Sequence, residues 1–256
     1  MPSTTTSTNP QPTLTLHLDP CTVNSRKTLA ALALLGLHEA TGDYTLHRMD
    51  YFAGDHKTPA FRAINPCATL PAAVVQDKAG DGDGELVLTE SNAIIIYAAE
   101  MLAGRDGVAG SNAYPLGRDG ASARKRADIN RWLFWEASVW FPACYVCLVE
   151  NVAKPLLGVE PDREALGANE GRWRELAGVL EGRLGKTKGW LCGSASSDAE
   201  GASVADVAVA SSMHLYEQMR LPLEGFPAVR AWLARVEKEQ WWVETQGAVE
   251  EKLGGK

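Results

Sequence analysis

The sequence predicts two domains of different class, an α/β domain over residues 13–103 and an all-α domain over 122–245. Three observations predict this. Between Thr13 and Leu102, short alternating or β-branched stretches take turns with segments of helical spacing. From Gly104 to Ala121 the chain crowds together Gly104, Gly107, Gly110, Gly117, Gly120 and Pro115, and this density of breakers reads as a linker. Beyond it no strand-like alternation recurs. A chain of 256 residues, 45% hydrophobic and 22% charged, has an ordinary globular composition and length enough for two modest domains.

Residues 1–12 are mostly Ser, Thr, Pro, Asn and Gln, with no basic residue before Arg26. They read as a disordered tail, neither a secretory signal nor an Arg-rich transit peptide. Thr13 to Leu18 alternates and predicts a strand. Asn24 to Leu37 carries Leu29, Leu32, Ala33 and Leu35 near helical spacing, with Gly36 as its stop. Tyr44 to Arg48 is a second strand, and Thr58-Pro59 opens a short helix through Ile64, with proline in the favoured first turn. Ala72 to Gln76 and Glu85 to Leu88 form a hairpin around the Gly/Asp loop from Asp77 to Gly84. A helix over Ser91 to Leu102 closes the order β-α-β-α-β-β-α. The second domain holds helical patterns at 122–153, 168–185, 203–219 and 226–240, the third opened by a capping box of Ser203 and Asp206. Gly193 to Ala202 is a small, polar surface loop, and residues 246–256 read as a C-terminal tail.

Bulk properties narrow the function. A net charge of −7 disfavours a nucleic-acid backbone as partner. Five unevenly spaced cysteines do not form a disulfide framework, so a reducing compartment, the cytoplasm, is the simpler expectation. The longest apolar runs are short, as in Ala30 to Leu37, so no membrane span is expected.

Several residues invite chemistry, each with a plain alternative. Leu70-Pro71 at the start of a strand is either a cis site or an ordinary trans proline. Glu90-Ser91 ahead of a helix suits an anion, or merely caps. His56 and Lys57 put two cation-capable groups on one loop, or form a solvated turn. Thr22 is a helix N-cap or a hydroxyl donor, and Cys21 a packed or a reactive thiol. Cys144 and Cys147 have a metal-like spacing but sit in a helical pattern without a second pair, so core packing is expected and no metal. Asp77, Asp81 and Asp83 lack the Glu a calcium loop needs, and Arg124-Lys125-Arg126 reads as a solvated face. Trp132, Trp135, Trp140, Phe141 and Tyr145 crowd one helix and at that spacing are mostly core.

The motifs Asp19-Pro20-Cys21-Thr22-Val23-Asn24-Ser25-Arg26-Lys27, Asn65-Pro66-Cys67-Ala68-Thr69-Leu70-Pro71 and Thr89-Glu90-Ser91-Asn92-Ala93-Ile94 together resemble the glutathione transferase superfamily. The segment from Asp50 to Lys57 leans toward its theta-like, nu-like, bacterial-type branch. The resemblance runs from Leu14 to Trp242, taking in Ser203 to Asp206 and Phe226 to Trp232. It implies a thioredoxin-like domain, an all-helical domain, a homodimer and glutathione as co-substrate. By the same resemblance the Leu70 backbone at a cis Pro71 pairs with the cysteinyl residue of glutathione, Glu90 and Ser91 hold its γ-glutamyl end, and His56 and Lys57 grip the glycyl carboxylate. Thr69 stands where relatives often carry Lys, Arg or Gln. Thr22 and Asn24 fall in register to stabilise the thiolate, with Lys27 also in register and Cys21 one position off. Trp135 and Tyr145 are the candidates for the electrophile pocket.

The implied activity is attack of the glutathione thiolate on an apolar electrophile, as in detoxification. Lowering a thiol pKa from near 8.5 by about two units corresponds to roughly 2.7 kcal/mol. A hydrogen bond to a charged group supplies about 1.5–3 kcal/mol and a helix N-terminus about 0.3–2, so no general base is required. Two alternatives stay open. One is a glutathione-dependent disulfide reductase or, with Cys21 reactive, a thiol transferase; no second cysteine stands at Asn24 for a redox pair. The other is a non-catalytic transferase-like module that binds a protein partner.

Overall fold

The structure is a computed structural model, and residues 13–76, 84–102, 113–187, 189–193, 201–252 and 254 are described. The expected tail at 1–12, residues 77–83 of the hairpin loop, 104–112 of the linker and 194–200 of the surface loop lie outside the described residues.

Four strands, β1 (Thr13–Leu18), β2 (Thr45–Arg48), β3 (Ala72–Gln76) and β4 (Glu85–Leu88), form one sheet in the order β2-β1-β3-β4. β1 and β2 run parallel, as the helical crossover between them requires, with Leu16 opposite Leu46. β3 pairs antiparallel to both β1 and β4. Alternation on β1 sends Leu14, Leu16 and Leu18 into a core shared with α1 (Val23–Leu34) and α3 (Ser91–Leu102). A smaller cluster of Phe61, Leu70 and Ala72 lies beneath α2 (Pro59–Ile64). α1 ends in a Schellman motif: Leu37 N–H bonds Leu32 O at 2.9 Å, Gly36 N–H bonds Ala33 O at 3.0 Å, and Gly36 has φ +76°. The Leu70–Pro71 bond is cis. This half is the thioredoxin-like arrangement that the resemblance implies.

The helical half opens on one long helix, two to three residues longer at each end than the expected 122–153. α4 runs unbroken from Gly120 to Leu156, 37 residues, and its most apolar 18-residue window has a mean hydropathy of 1.4. By length and composition alone this helix is apolar enough to cross a membrane, a test that core helices also pass. Its inner face, including Ile129, Trp132, Trp140 and Cys144, walls the core of the domain. Two π turns, Glu136–Trp140 and Val149–Ala153, interrupt its regular pitch. Each lies just ahead of a proline, Pro142 or Pro155. A proline inside a helix lacks the N–H and crowds the carbonyl four residues back, here Ser138 or Asn151, and each of these falls inside a π turn. Asp119 caps the helix by accepting the N–H groups of Ala121 and Ser122, both at 2.9 Å.

α5 (Arg163–Thr187), α6 (Val204–Ser211) and α7 (Pro227–Val236) complete the bundle, with every residue of α6 buried. α6 stops at Ser211, short of the expected 219, and turns follow. The capping box forms: the Asp206 carboxylate accepts the N–H of Ser203 at 2.9 Å and its hydroxyl at 2.8 Å. Its other oxygen takes Leu191 N–H at 2.8 Å and Trp232 Nε1–H at 3.1 Å. Two short helices follow, α8 (Gln240–Val243) and α9 (Gly247–Lys252). α9 corrects the expected tail. Its Val249 is buried, and its chain passes over the β1–α1 turn. Part of the expected linker is packed as well, with Ala113 and Tyr114 in the core and Arg126 holding the carbonyls of Pro115 and Gly117, both at 2.7 Å. α1 packs against α3 on one side and against α6 and α8 on the other, so it is the seam between the two halves.

Candidate active site

The turn from β1 into α1 is organised by the buried Asp19. One carboxylate oxygen accepts Cys21 N–H at 2.9 Å, and the other accepts Tyr51 N–H at 2.9 Å, which ties the turn to the loop after β2. Thr22 has the extended backbone of an N-cap, φ −84° and ψ 144°, yet its side chain makes no cap hydrogen bond. Its hydroxyl donates instead to Asp19 O at 3.0 Å and pairs with the Ser25 hydroxyl at 2.7 Å. With Ser25 Oγ donating to Thr22 Oγ1, the one Thr22 proton serves Asp19 O, and it reaches a ligand by exchanging that bond for a new one. No acidic residue occupies the first turn of α1. Asn24 is half-buried in that turn, with Oδ1 buried and without a partner among the described residues.

Cys21 is arranged differently. Its Sγ–H donates to Ala248 O of α9 at 3.2 Å. Burial, followed by the nearby Asp19 carboxylate, pushes the thiol up to about 11, so it is protonated at neutral pH.

The loop after β2 brings His56 and Lys57 to the same end of the sheet. His56 is buried and stacks on Tyr51, ring centroids 4.3 Å apart. Burial, then the neighbouring Lys57 and Arg62 charges, hold its imidazole below the usual histidine range. Of the two cation-capable groups predicted there, Lys57 is exposed, while His56 is buried where its charged form is disfavoured. Asn65 clamps the next loop. Its Nδ2 donates to Thr69 O at 2.8 Å and Thr69 Oγ1 at 3.1 Å, and its Oδ1 accepts Cys67 N–H at 3.1 Å. Thr69 is exposed, while Leu70 and Pro71 are buried at the head of β3. At the start of α3, Glu90 is exposed with φ +65° and Ser91 is buried. A left-handed backbone costs a non-glycine residue of order 1 kcal/mol or more, and such residues cluster where a site demands them.

The two electrophile-pocket candidates part ways. Trp135 stacks on Trp140 at 5.3 Å and sets its edge against Trp132 at 5.1 Å, in an aromatic ladder that continues through Trp173. It belongs to the helical core. Tyr145 is 43% exposed beside Phe141, and its hydroxyl is pushed up by burial and by the adjacent Tyr51. Cys144 and Cys147 are buried in α4, where Cys147 Sγ accepts Asn169 Nδ2–H at 3.6 Å.

Sequence reasoning missed four participants: Asp19, Ser25, Tyr51 and Glu136. Asp19 and Ser25 flank Thr22, so the cap spacing could have raised them. Nothing local marks Tyr51 or Glu136, which matter through contacts far along the chain.

Comparison with known proteins identifies the family. Residues 23–101 match the model of the glutathione S-transferase N-terminal domain, and residues 139–240 match that of its C-terminal domain. Over 165 residues the chain is 30% identical to glutathione S-transferase 1 of Triticum aestivum, covering 63% of this chain and 66% of that protein, just under two thirds of its length. It is also 30% identical to a probable glutathione S-transferase of Oryza sativa subsp. japonica, covering 77% of this chain and 80% of the relative. A disulfide-bond oxidoreductase of Escherichia coli (strain K12) is 30% identical, with 79% and 82% covered. A solved glutathione transferase from Populus trichocarpa shares the fold at a TM-score of 0.72 and 24% identity, over 92% of this chain and 99% of that one. The chain belongs to the glutathione S-transferase family.

Proposed function

We propose that the protein ionises glutathione at the N-terminus of α1 and directs the thiolate to an apolar electrophile. The observation that carries this reading is Thr22, an N-cap residue whose hydroxyl is withheld from capping and backed by Ser25. In the proposed complex Thr22 O–H and the Asn24 amide donate to the thiolate, and the helix N-terminus adds its partial positive charge. The Leu70 backbone pairs with the cysteinyl residue, Glu90 and Ser91 take the γ-glutamyl ammonium and carboxylate, and Lys57 and His56 take the glycyl carboxylate. Thr69 borders that end.

The electrophile then lies between Tyr51 on one domain and Tyr145 on the other. Both rings are exposed, and Tyr51 is tied through Asp19 to the thiol turn. This places an apolar wall with two phenolic donors beside the attacking sulfur. The sulfur–carbon bond forms as the leaving group departs, and proximity with ionisation does the work without a covalent enzyme intermediate.

The Escherichia coli relative favours a second reading, in which a disulfide replaces the electrophile and glutathione itself performs the exchange. Cys21 fits neither role as nucleophile, being protonated and bonded to α9. A homodimer in a reducing cytoplasm completes the proposal. Phe134, 72% exposed on α4, is the large apolar side chain best placed for a subunit contact.

Calorimetric titration of glutathione, combined with thiolate absorbance against pH, tests the reading. Binding with a thiol pKa well below that of free glutathione supports it; no binding overturns it. Parallel assays with an aryl halide and a mixed disulfide separate the two readings.

A further inference from the structure

Glu136 is fully buried in an ion pair with Lys27, and the proposed chemistry does not use it. It accepts Lys27 Nζ at 2.9 and 3.2 Å, Asn92 Nδ2 at 3.0 Å and Ser212 Oγ at 2.9 Å. The three donors come from α1, from α3 and from the turn after α6. Asn92 Nδ2 also reaches Leu133 O of α4 at 2.9 Å.

A buried ion pair adds little net stability over an apolar pair of similar volume, because desolvating both charges offsets most of their attraction. What this one adds is geometry. Lys27 lies five residues beyond Thr22 on the rigid α1, about 7.5 Å along the axis at the α-helical rise. Asn92 directly follows Ser91. One carboxylate therefore fastens both helices whose N-termini are proposed to hold the two ends of the ligand, α1 at the thiol and α3 at the γ-glutamyl group. It sits on the π turn Glu136–Trp140, where the widened helix turns the side chain toward the seam.

We propose that Glu136 is a positioning residue that sets the spacing between the thiolate site on α1 and the γ-glutamyl site on α3, acting through Lys27 and Asn92. This rests on the glutathione reading given above. An apolar residue could fill the same volume, but it could not hold α1 and α3 to a common point.

Steady-state kinetics with glutathione varied, and thiolate absorbance against pH, would be measured on the full-length wild type and four variants. These are Glu136→Gln, Glu136→Asp, Asn92→Ala and the double variant Lys27→Met/Glu136→Met, compared below their melting transitions by circular dichroism. The double variant removes both charges together and keeps the fold measurable if Glu136→Gln, which strands Lys27, does not fold. The expected result for the double variant is a loss of about tenfold in kcat and a rise of about tenfold in the glutathione KM, each corresponding to one decade of free energy. Asn92→Ala should raise KM while leaving kcat and the thiol pKa near wild type, and Glu136→Asp should recover most of both losses. A folded double variant with wild-type kcat, KM and thiol pKa overturns the proposal, whatever its melting temperature. A wild type that shows no glutathione-dependent thiolate overturns the functional reading first, and this assignment with it.

Discussion

Two helix starts in this protein are built from similar residues and put to opposite uses. At α6, Ser203 leads to Asp206, whose buried carboxylate gathers four donors and supplies the negative charge that a helix N-terminus favours. At α1, Thr22 leads to Ser25, both hydroxyls bond away from the cap, and no acid occupies the first turn. The first start is electrostatically closed. The second leaves the place of an anion open, and there a thiolate can sit. A helix whose N-terminus is fully satisfied serves the core, whereas one left wanting an anion is a site in waiting.

The sharpest way to break this contrast is Asp206→Ala. It strands Leu191 N–H, Ser203 N–H and the Trp232 indole in the core, and should cost about 3–5 kcal/mol in stability. Denaturant unfolding measures it, and activity per folded molecule should hold. Thr22→Ala should do the reverse. Losing a donor to a charged sulfur should lower kcat/KM by about 10- to 150-fold. Its cost in stability should fall below the roughly 1 kcal/mol usual for a lost cap, since Thr22 does not cap. A large loss of melting temperature in Thr22→Ala would remove the distinction between the two starts.

A pH series sharpens the comparison from the side of α9. Burial, then the nearby Arg26 charge, pulls His214 down to about 3. Its folded pKa lies below the unfolded value near 6.5, so its contribution is intact above pH 6.5 and is lost as pH falls toward 3. Between those values stability should decline with a slope approaching about 1.4 kcal/mol per pH unit from this group alone. His214→Gln should flatten the slope in urea unfolding measured from pH 7 to pH 4. The smallest effect is expected at Cys21→Ser, where a hydroxyl can keep the bond to Ala248 O. Its kcat/KM should stay within about threefold of wild type, a difference under ~0.7 kcal/mol. A loss as large as that of Thr22→Ala would make Cys21 the reacting group.

Much of this was legible along the chain, because the signals are local. The β1 alternation at Leu14, Leu16 and Leu18, the stop at Gly36, the Pro59 helix start, the capping box and the cis Leu70–Pro71 bond each depend on a few adjacent residues. The π turns of α4 were not legible, since the helical pattern at 122–153 runs through Pro142 without showing where the pitch widens ahead of Pro142 and Pro155. Nor was α9, too short to show a period. Trp135 and Tyr145 looked alike in sequence, yet one is partly buried in a tryptophan ladder against the core and the other is half exposed.

The sequence by itself determined the class of each domain, the order of elements and the family, because periodicity, capping and turn chemistry act over a few residues. Only the tertiary structure decided that Thr22 is withheld from capping, that Cys21 is bonded to the C-terminal helix, and that Glu136 joins α1 to α3. The last two rest on pairs, Cys21 with Ala248 and Lys27 with Glu136, remote in the chain and brought together only when packing buries them.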